Sequence, residues 1–153
     1  VTDPDVIVWY DPGLMTGVAA YDIAIGRFGS WQDSYADLPG RLDSFCQEYG
    51  ERLAVGWELY IQTPRPRPGS KAEHSQRAIS LIKDVCDKHG ITQIKGQPSS
   101  ARMVKSTVVF LRRLGWYKPG MQHANDAACH LFRHLIKMRP VPEKIRRGLP
   151  PGY

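Results

Sequence analysis

The stretch VIVWYDPGLMTG, residues 6–17, decides how the chain is read. Val6–Tyr10 is a run of β-forming residues and predicts a strand. The strand ends on a carboxylate, Asp11, and Pro12-Gly13 turns the chain at once. An acid at the tip of an apolar strand carries chemistry only if other parts of the chain bring more acids to the same point.

Outward from this stretch the elements follow in order. Gly17–Ile23 and Arg27–Asp33 predict two further strands, with a turn near Ala24–Gly26. Asp37 is placed to cap a helix whose Leu42, Phe45, Cys46 and Tyr49 keep helical spacing, and Gly50 stops it. RLAVGWELYI, residues 52–61, is a fourth strand. QTPRPRPGS, residues 62–70, is a loop, because its prolines withhold ladder donors and break helices. SKAE, residues 70–73, is a capping box opening a helix with Ile79, Ile82, Val85 and Cys86 inward, ended by Gly90. ITQIK, residues 91–95, is a fifth strand. Ser99 or Ser100 caps a helix carrying Val104, Val108, Leu111 and Leu114, and the last helix spans about Met121 to Met138.

The order β-β-β-α-β-α-β-α-α predicts an α/β fold. Its mixed five-stranded sheet joins a three-stranded antiparallel meander to parallel strands, with α-helices on both faces. The first and fourth strands can then lie side by side at the centre. Residues 1–139 are expected to form one domain. Residues 140–153 are a basic, Pro-rich tail expected to be extended and flexible.

Composition narrows the classes. The 153 residues suffice for one domain with a real core, and 42% of them are hydrophobic. No apolar run approaches the roughly 20 residues of a membrane span, and the opening VTDPDV has no leader pattern. Cys46, Cys86 and Cys129 form no CxxC pair and are expected to be reduced, buried thiols in a cytoplasmic protein. The net charge is +6, but it is unevenly spread: residues 1–60 hold 3 basic and 10 acidic residues, and residues 61–153 hold 18 basic and 5 acidic. Such a lopsided chain is expected to meet a polyanion.

Two more acids stand out. Glu58 sits in the otherwise apolar LAVGWELYI. A glutamate facing a core costs several kcal/mol unless it is paired or metal-bound. Asp126 lies near the start of the last helix, where a first-turn acid would simply favour the helix dipole. His123 precedes it by three residues and shares its face. Three acids and a histidine suit a metal-dependent phosphodiester hydrolase. Hard ions such as Mg²⁺ prefer oxygen ligands, and two ions about 4 Å apart can activate a water and steady a leaving oxygen.

Other features have two readings each. Trp116 or Tyr117, beside Lys118, can stack on a base or pack in the core. Lys105 meets a phosphate or is merely an exposed helix lysine. PRPRP is a substrate loop or a polyproline ligand. His130 and His134 are spaced i, i+4, yet no third ligand supports zinc, so they are read as packing or surface histidines.

The motifs DPGLMTG (11–17), VGWE ending at Glu58, QPSSARMVK (97–105) and HANDAA (123–128) together give a resemblance. Over roughly residues 5–138 the chain resembles the RuvC-type Holliday junction resolvases of the ribonuclease H-like superfamily, their phage relatives in particular. The first motif is one residue shorter than the usual bacterial form, and some members place an aspartate where His123 falls.

The resemblance implies a structure-selective DNA endonuclease using two Mg²⁺ or Mn²⁺ ions. Asp11 would bridge both ions and Glu58 would hold one with it. Asp126 and His123 would complete the other side, with His123 acting on the attacking water. Tyr60 is the nearest match to an aromatic that follows the strand-four glutamate. Tyr60, Arg65, Arg67, Lys71, Lys105 and Lys118 are the expected DNA contacts. The implied partners are four-way-junction DNA and a second copy of the chain docked through the helix Ser70–His89, in host cytoplasm if phage-encoded. Three alternatives stay open: a related nuclease acting on RNA or RNA–DNA hybrids, a non-catalytic branched-DNA binder, and an actin-like ATPase. The last needs a second domain to close over a nucleotide.

Overall fold

Alternation along the first strand splits the molecule into two cores. The computed structural model describes residues 3–59, 64–98 and 105–150. In β1 (Val6–Asp11) every residue is buried, as expected of a strand covered on both faces. Val6, Val8 and Tyr10 enter one core, and Ile7 and Trp9 enter the other. β4 (Leu53–Leu59) divides in the same way: Leu53, Val55 and Trp57 face the first core and Ala54 the second.

β1 pairs antiparallel with β2 (Met15–Asp22), which pairs antiparallel with β3 (Arg27–Ser34), giving the expected meander. On its other side β1 runs parallel to β4, so the first and fourth strands are central neighbours. Of the expected fifth strand, residues 91–95, only Thr92–Gln93 is strand, and an unexpected sixth strand follows it. β5 (Thr92–Gln93) pairs with Ala54–Val55, and β6 (Gln97–Pro98) pairs with Glu58–Leu59. Gly96 lies between them, packed so tightly that an added Cβ would fall 2.6 Å from Leu59 Cγ. Pro98 withholds a ladder donor.

Helices α1 (Leu38–Tyr49) and α2 (Lys71–His89) cover the first core with Leu38, Leu42, Cys46, Ala78, Ile79, Ile82 and Cys86. Fully burying a side chain such as Leu42 or Ile82 contributes about 1.5–3 kcal/mol. The capping box is present, with Glu73 N–H donating to Ser70 Oγ, and Gly90 closes α2 in the left-handed region at φ 63°. Asp37 occupies the N-cap of α1 without a side-chain cap bond. The cysteines are free and buried, as expected.

Helices α3 (Lys105–Leu114), α4 (Gln122–Lys137) and α5 (Glu143–Gly148) cover the second core. α4 is buried almost all round, between the sheet and its neighbouring helices. Ala124, Ala127 and Ala128 let it lie close to the strands. Part of the expected extended tail is helical. In α5 Ile145 is 1% exposed and fills the second core beside Leu135, and its burial holds this turn against the domain. Trp116 takes the core reading, since it is buried and stacks on Phe28 at 4.1 Å. No helix among the described residues is long and apolar enough to cross a membrane.

Candidate active site

Asp11 ends β1 on the side of the second core, following the parity of Ile7 and Trp9. The turn beyond it is fixed twice. Gly13 N–H donates to Thr16 Oγ1 at 3.3 Å, and Ser75 Oγ on α2 donates to the Pro12 carbonyl at 3.0 Å. In the ladder Tyr10 pairs with Trp57, so Glu58 comes next to Asp11 across the parallel strands. Both acids are almost fully buried.

α4 brings the other two groups. Its approach depends on Gly17, the ladder partner of Asp11. A Cβ there would sit 1.8 Å from the His123 carbonyl oxygen and 2.8 Å from the Ala124 nitrogen. Only a residue without a side chain lets the first turn of α4 rest on β2. Asn125 ties the preceding loop: its Nδ2 donates to the Lys118 carbonyl at 2.8 Å, and its Oδ1 accepts from Lys118 N–H at 2.9 Å.

His123 Nδ1 then lies 3.4 Å from Asp11 Oδ2. One ligand atom each from Asp11, His123 and Asp126 fall within 4.8 Å of one another. Asp126 stands in the second turn of α4, which has no acid in its first turn, and is 2% exposed. The helix dipole alone therefore does not explain it. The Asp11 carboxylate raises the pKa of His123; partial burial opposes the rise, Asp126 adds to it and Lys71 works against it. The group lines an open cleft of about 390 Å³ whose wall also includes Leu14, Met15, Lys71, His74 and Gln122.

The donor set suits a hard divalent cation. Two buried carboxylates and a half-exposed imidazole converge on one point of an open cleft, leaving room for water on the ion. Glu58 stands beside this set, outside the trio.

Glu58 is held by residues that sequence reasoning missed. His130 Nε2 lies 3.0 Å from Glu58 Oε2, and its Nδ1 lies 3.0 Å from Gln97 Oε1. Gln97 Nε2 donates to the His130 carbonyl at 2.9 Å, closing a ring between β6 and α4. Trp9 stacks on the imidazole, with ring centres 6.0 Å apart. His130 is fully buried, so the packing reading of it was incomplete. Its spacing of four residues from Asp126 put it on the same helix face, but its partner is 72 residues away. His134 is partly buried, with its ring centre 5.6 Å from that of Trp9.

The expected DNA contacts are scattered. Lys71 lines the cleft. Arg65 and Arg67 are exposed on the loop before α2. Lys118 donates from Nζ to the Ser30 carbonyl on β3. Lys105 begins α3, but its side chain lies outside the described residues, as do Tyr60 and Ser99–Val104.

No family model matches the chain, and no curated protein matches it at significance. Solved structures do. The chain is similar to Thermus thermophilus RuvC in complex with a Holliday junction substrate, at 15% identity over 82% of this chain and 88% of that one, with a TM-score of 0.61. A second T. thermophilus RuvC structure matches over 82% and 90% at 15% identity, with a TM-score of 0.55. The nuclease domain of the P22 large terminase aligns over 98% and 90% at 15% identity, with a TM-score of 0.48. The RuvC similarities establish the fold, which is ribonuclease H-like.

Proposed function

We propose that the chain is a divalent-metal-dependent endonuclease that cuts branched DNA, four-way junctions included. The observation that carries this reading is the convergence of Asp11, His123 and Asp126 within 4.8 Å at an open cleft, with Glu58 next to Asp11 in the ladder. The RuvC neighbour bound to a Holliday junction supports the choice of substrate.

Asp11, His123 and Asp126 would hold a first Mg²⁺ or Mn²⁺, and Asp11 with Glu58 a second. Bound there, the ions supply Lewis acidity toward the scissile phosphate and its attacking water. The chain's residues supply the rest. Asp11 orients His123 through Nδ1. With Nδ1 on Asp11, the half-exposed imidazole has Nε2 left for one role at a time: it would hold the ion with Asp11 and Asp126, or, with the ion on the two carboxylates alone, take a proton from a water in the cleft. Lys71 lines the cleft and offsets phosphate charge. Arg65 and Arg67 engage phosphates outside it, with Lys105, Lys118 and Tyr60 as further contacts. A two-fold dimer would present one such cleft to each of two matching strands of a junction.

The test is a nicking assay on end-labelled four-way junction, flap, duplex and RNA–DNA hybrid. Paired nicks in the junction with Mg²⁺ or Mn²⁺, none in EDTA, and loss in Asp11→Asn, Glu58→Gln and Asp126→Asn are expected. Cleavage in EDTA, or normal turnover in all three variants, overturns the reading. A preference for the hybrid would assign the cleft to RNA.

A further inference from the structure

The helices on the second core carry a cationic surface that the cleft does not use. Three basic residues and no acid lie in α3; Arg133 and Lys137 face one acid, Asp126, in α4; Lys144, Arg146 and Arg147 face one, Glu143, in α5. Arg112, Arg113, Lys137, Lys144, Arg146 and Arg147 are all exposed.

These six gather at one end of the molecule. An added Cβ at Gly148 would fall 2.7 Å from Leu114 Cδ2, so the end of α5 is seated on the end of α3. Lys144 Nζ donates to the Gly26 carbonyl at 3.2 Å, in the turn between β2 and β3. That turn follows Asp22, which pairs with Val6, whereas the catalytic end of the same ladder pairs Asp11 with Gly17. The cluster therefore sits at the sheet end opposite the cleft. The 16 residues of α4 separate the two ends by about 24 Å at about 1.5 Å per residue.

Five of the six cations have no acidic partner among the described residues. Arg112 lies over the Tyr117 ring at 4.5 Å and Arg113 over Phe110 at 5.9 Å. Lys144 bonds a neutral carbonyl. Among the described residues only Glu143 pairs an acid with this group, through Arg147 at 2.6 Å. Aromatic faces and a carbonyl orient the side chains without neutralising them, which reduces the ordering cost when an anion arrives.

We propose that the α3–α5 end is a second DNA-backbone contact, which grips the duplex arm roughly seven base pairs from the cleaved bond, at about 3.4 Å per base pair. Arginine forks suit successive phosphates. This rests on the nuclease reading for the class of ligand and for the place of the cleaved bond.

The experiment uses the full chain in EDTA, so that nothing is cut. The fourfold variant Arg112→Gln, Arg113→Gln, Arg146→Gln, Arg147→Gln leaves the cleft intact, and a thermal melt checks its fold. Binding is measured against salt on a duplex of about 24 base pairs and on a hairpin of about 5. We expect the salt slope on the long duplex to fall by about 3.6 units, since each of the four lost phosphate contacts removes about 0.9. Affinity for it should drop at least tenfold, with the hairpin unaffected. Unchanged binding to the long duplex overturns the inference and would leave an acidic protein segment as the partner of this surface. An equal loss on both substrates overturns it too, since the charges would then act only as a general field. Should the wild type fail to nick any substrate with Mg²⁺ while the length dependence holds, the nuclease reading falls and the DNA contact at the α3–α5 end stands.

Discussion

The two helical layers on this sheet differ in what they are built to do. α1 carries Arg41 against Asp43 and Glu48, and α2 carries four basic residues against three acids, so the first layer has no net charge. α3, α4 and α5 together carry +6, and α4 also supplies His123, Asp126 and His130. The first layer packs aliphatic side chains and two thiols against the strands. The second buries three polar groups of α4, Asn125, Asp126 and His130, close to the strand acids. The alternation of β1 deals its side chains to both layers, and Asp11 falls to the second. On the proposed function, one layer can vary in packing with little effect on chemistry, while small shifts in the other move the proposed metal ligands.

Two glycines give the sharpest contrast. Gly17→Ala forces a Cβ into the backbone of α4, and a shift of about 1 Å in His123 and Asp126 should lower cleavage by a hundredfold or more. Gly40→Ala, in α1 with nothing within 4 Å of the added Cβ, should leave cleavage unchanged and stabilise by up to about 1 kcal/mol. Single-turnover nicking beside denaturant unfolding reads both. Equal behaviour of the two variants would remove the distinction between layers.

His130→Leu comes next. It leaves Glu58 buried without its imidazole and should cost about 3–5 kcal/mol. Cleavage should also fall in conditions where the variant is fully folded. Leu42→Ala, in the first layer, should cost about 2–5 kcal/mol, seen as a fall of roughly 5–15 °C in Tm, with kcat unchanged below the transition. A Leu42→Ala enzyme with native stability and poor kcat would reverse the assignment.

The smallest effect concerns the thiols of the first layer. Burial pushes Cys46 up to about 11 and Cys86 up to about 12. Both pKa values are raised above those of the unfolded chain, so the unfolded state loses these protons first. Stability contributed by the neutral thiols is complete below about pH 9 and is lost as pH rises toward 11–12. At neutral pH a thiol reagent should label both only at the rate of unfolding. Rapid labelling in native buffer would show that this layer opens.

Much of the architecture was legible because strong local signals agreed with one another. The apolar run before Asp11, the glutamate inside LAVGWELYI and the Ser70–Glu73 box each announce an element and its end. Asp11, Glu58, His123 and Asp126 stood out because each breaks the pattern around it. What stayed hidden was set by tertiary contact. Residues 91–98 have no period-2 pattern to show that β5 is only two residues long or that a second short strand follows Gly96. α5 is only six residues long between prolines, and one buried Ile145 holds it. The pairing of His130 with Glu58 joins residues far apart in sequence, and no local spacing encodes it.

The central claim is that the edge between β1 and α4 is a cation site. Titrating Mn²⁺ into the free protein, followed by its electron paramagnetic resonance signal, tests this without DNA and without turnover. The wild type should bind Mn²⁺ saturably, and Asp11→Asn and Asp126→Asn should each weaken binding at least tenfold while remaining folded. Mn²⁺ binding that is the same in all three proteins, or absent from the wild type, would contradict the account.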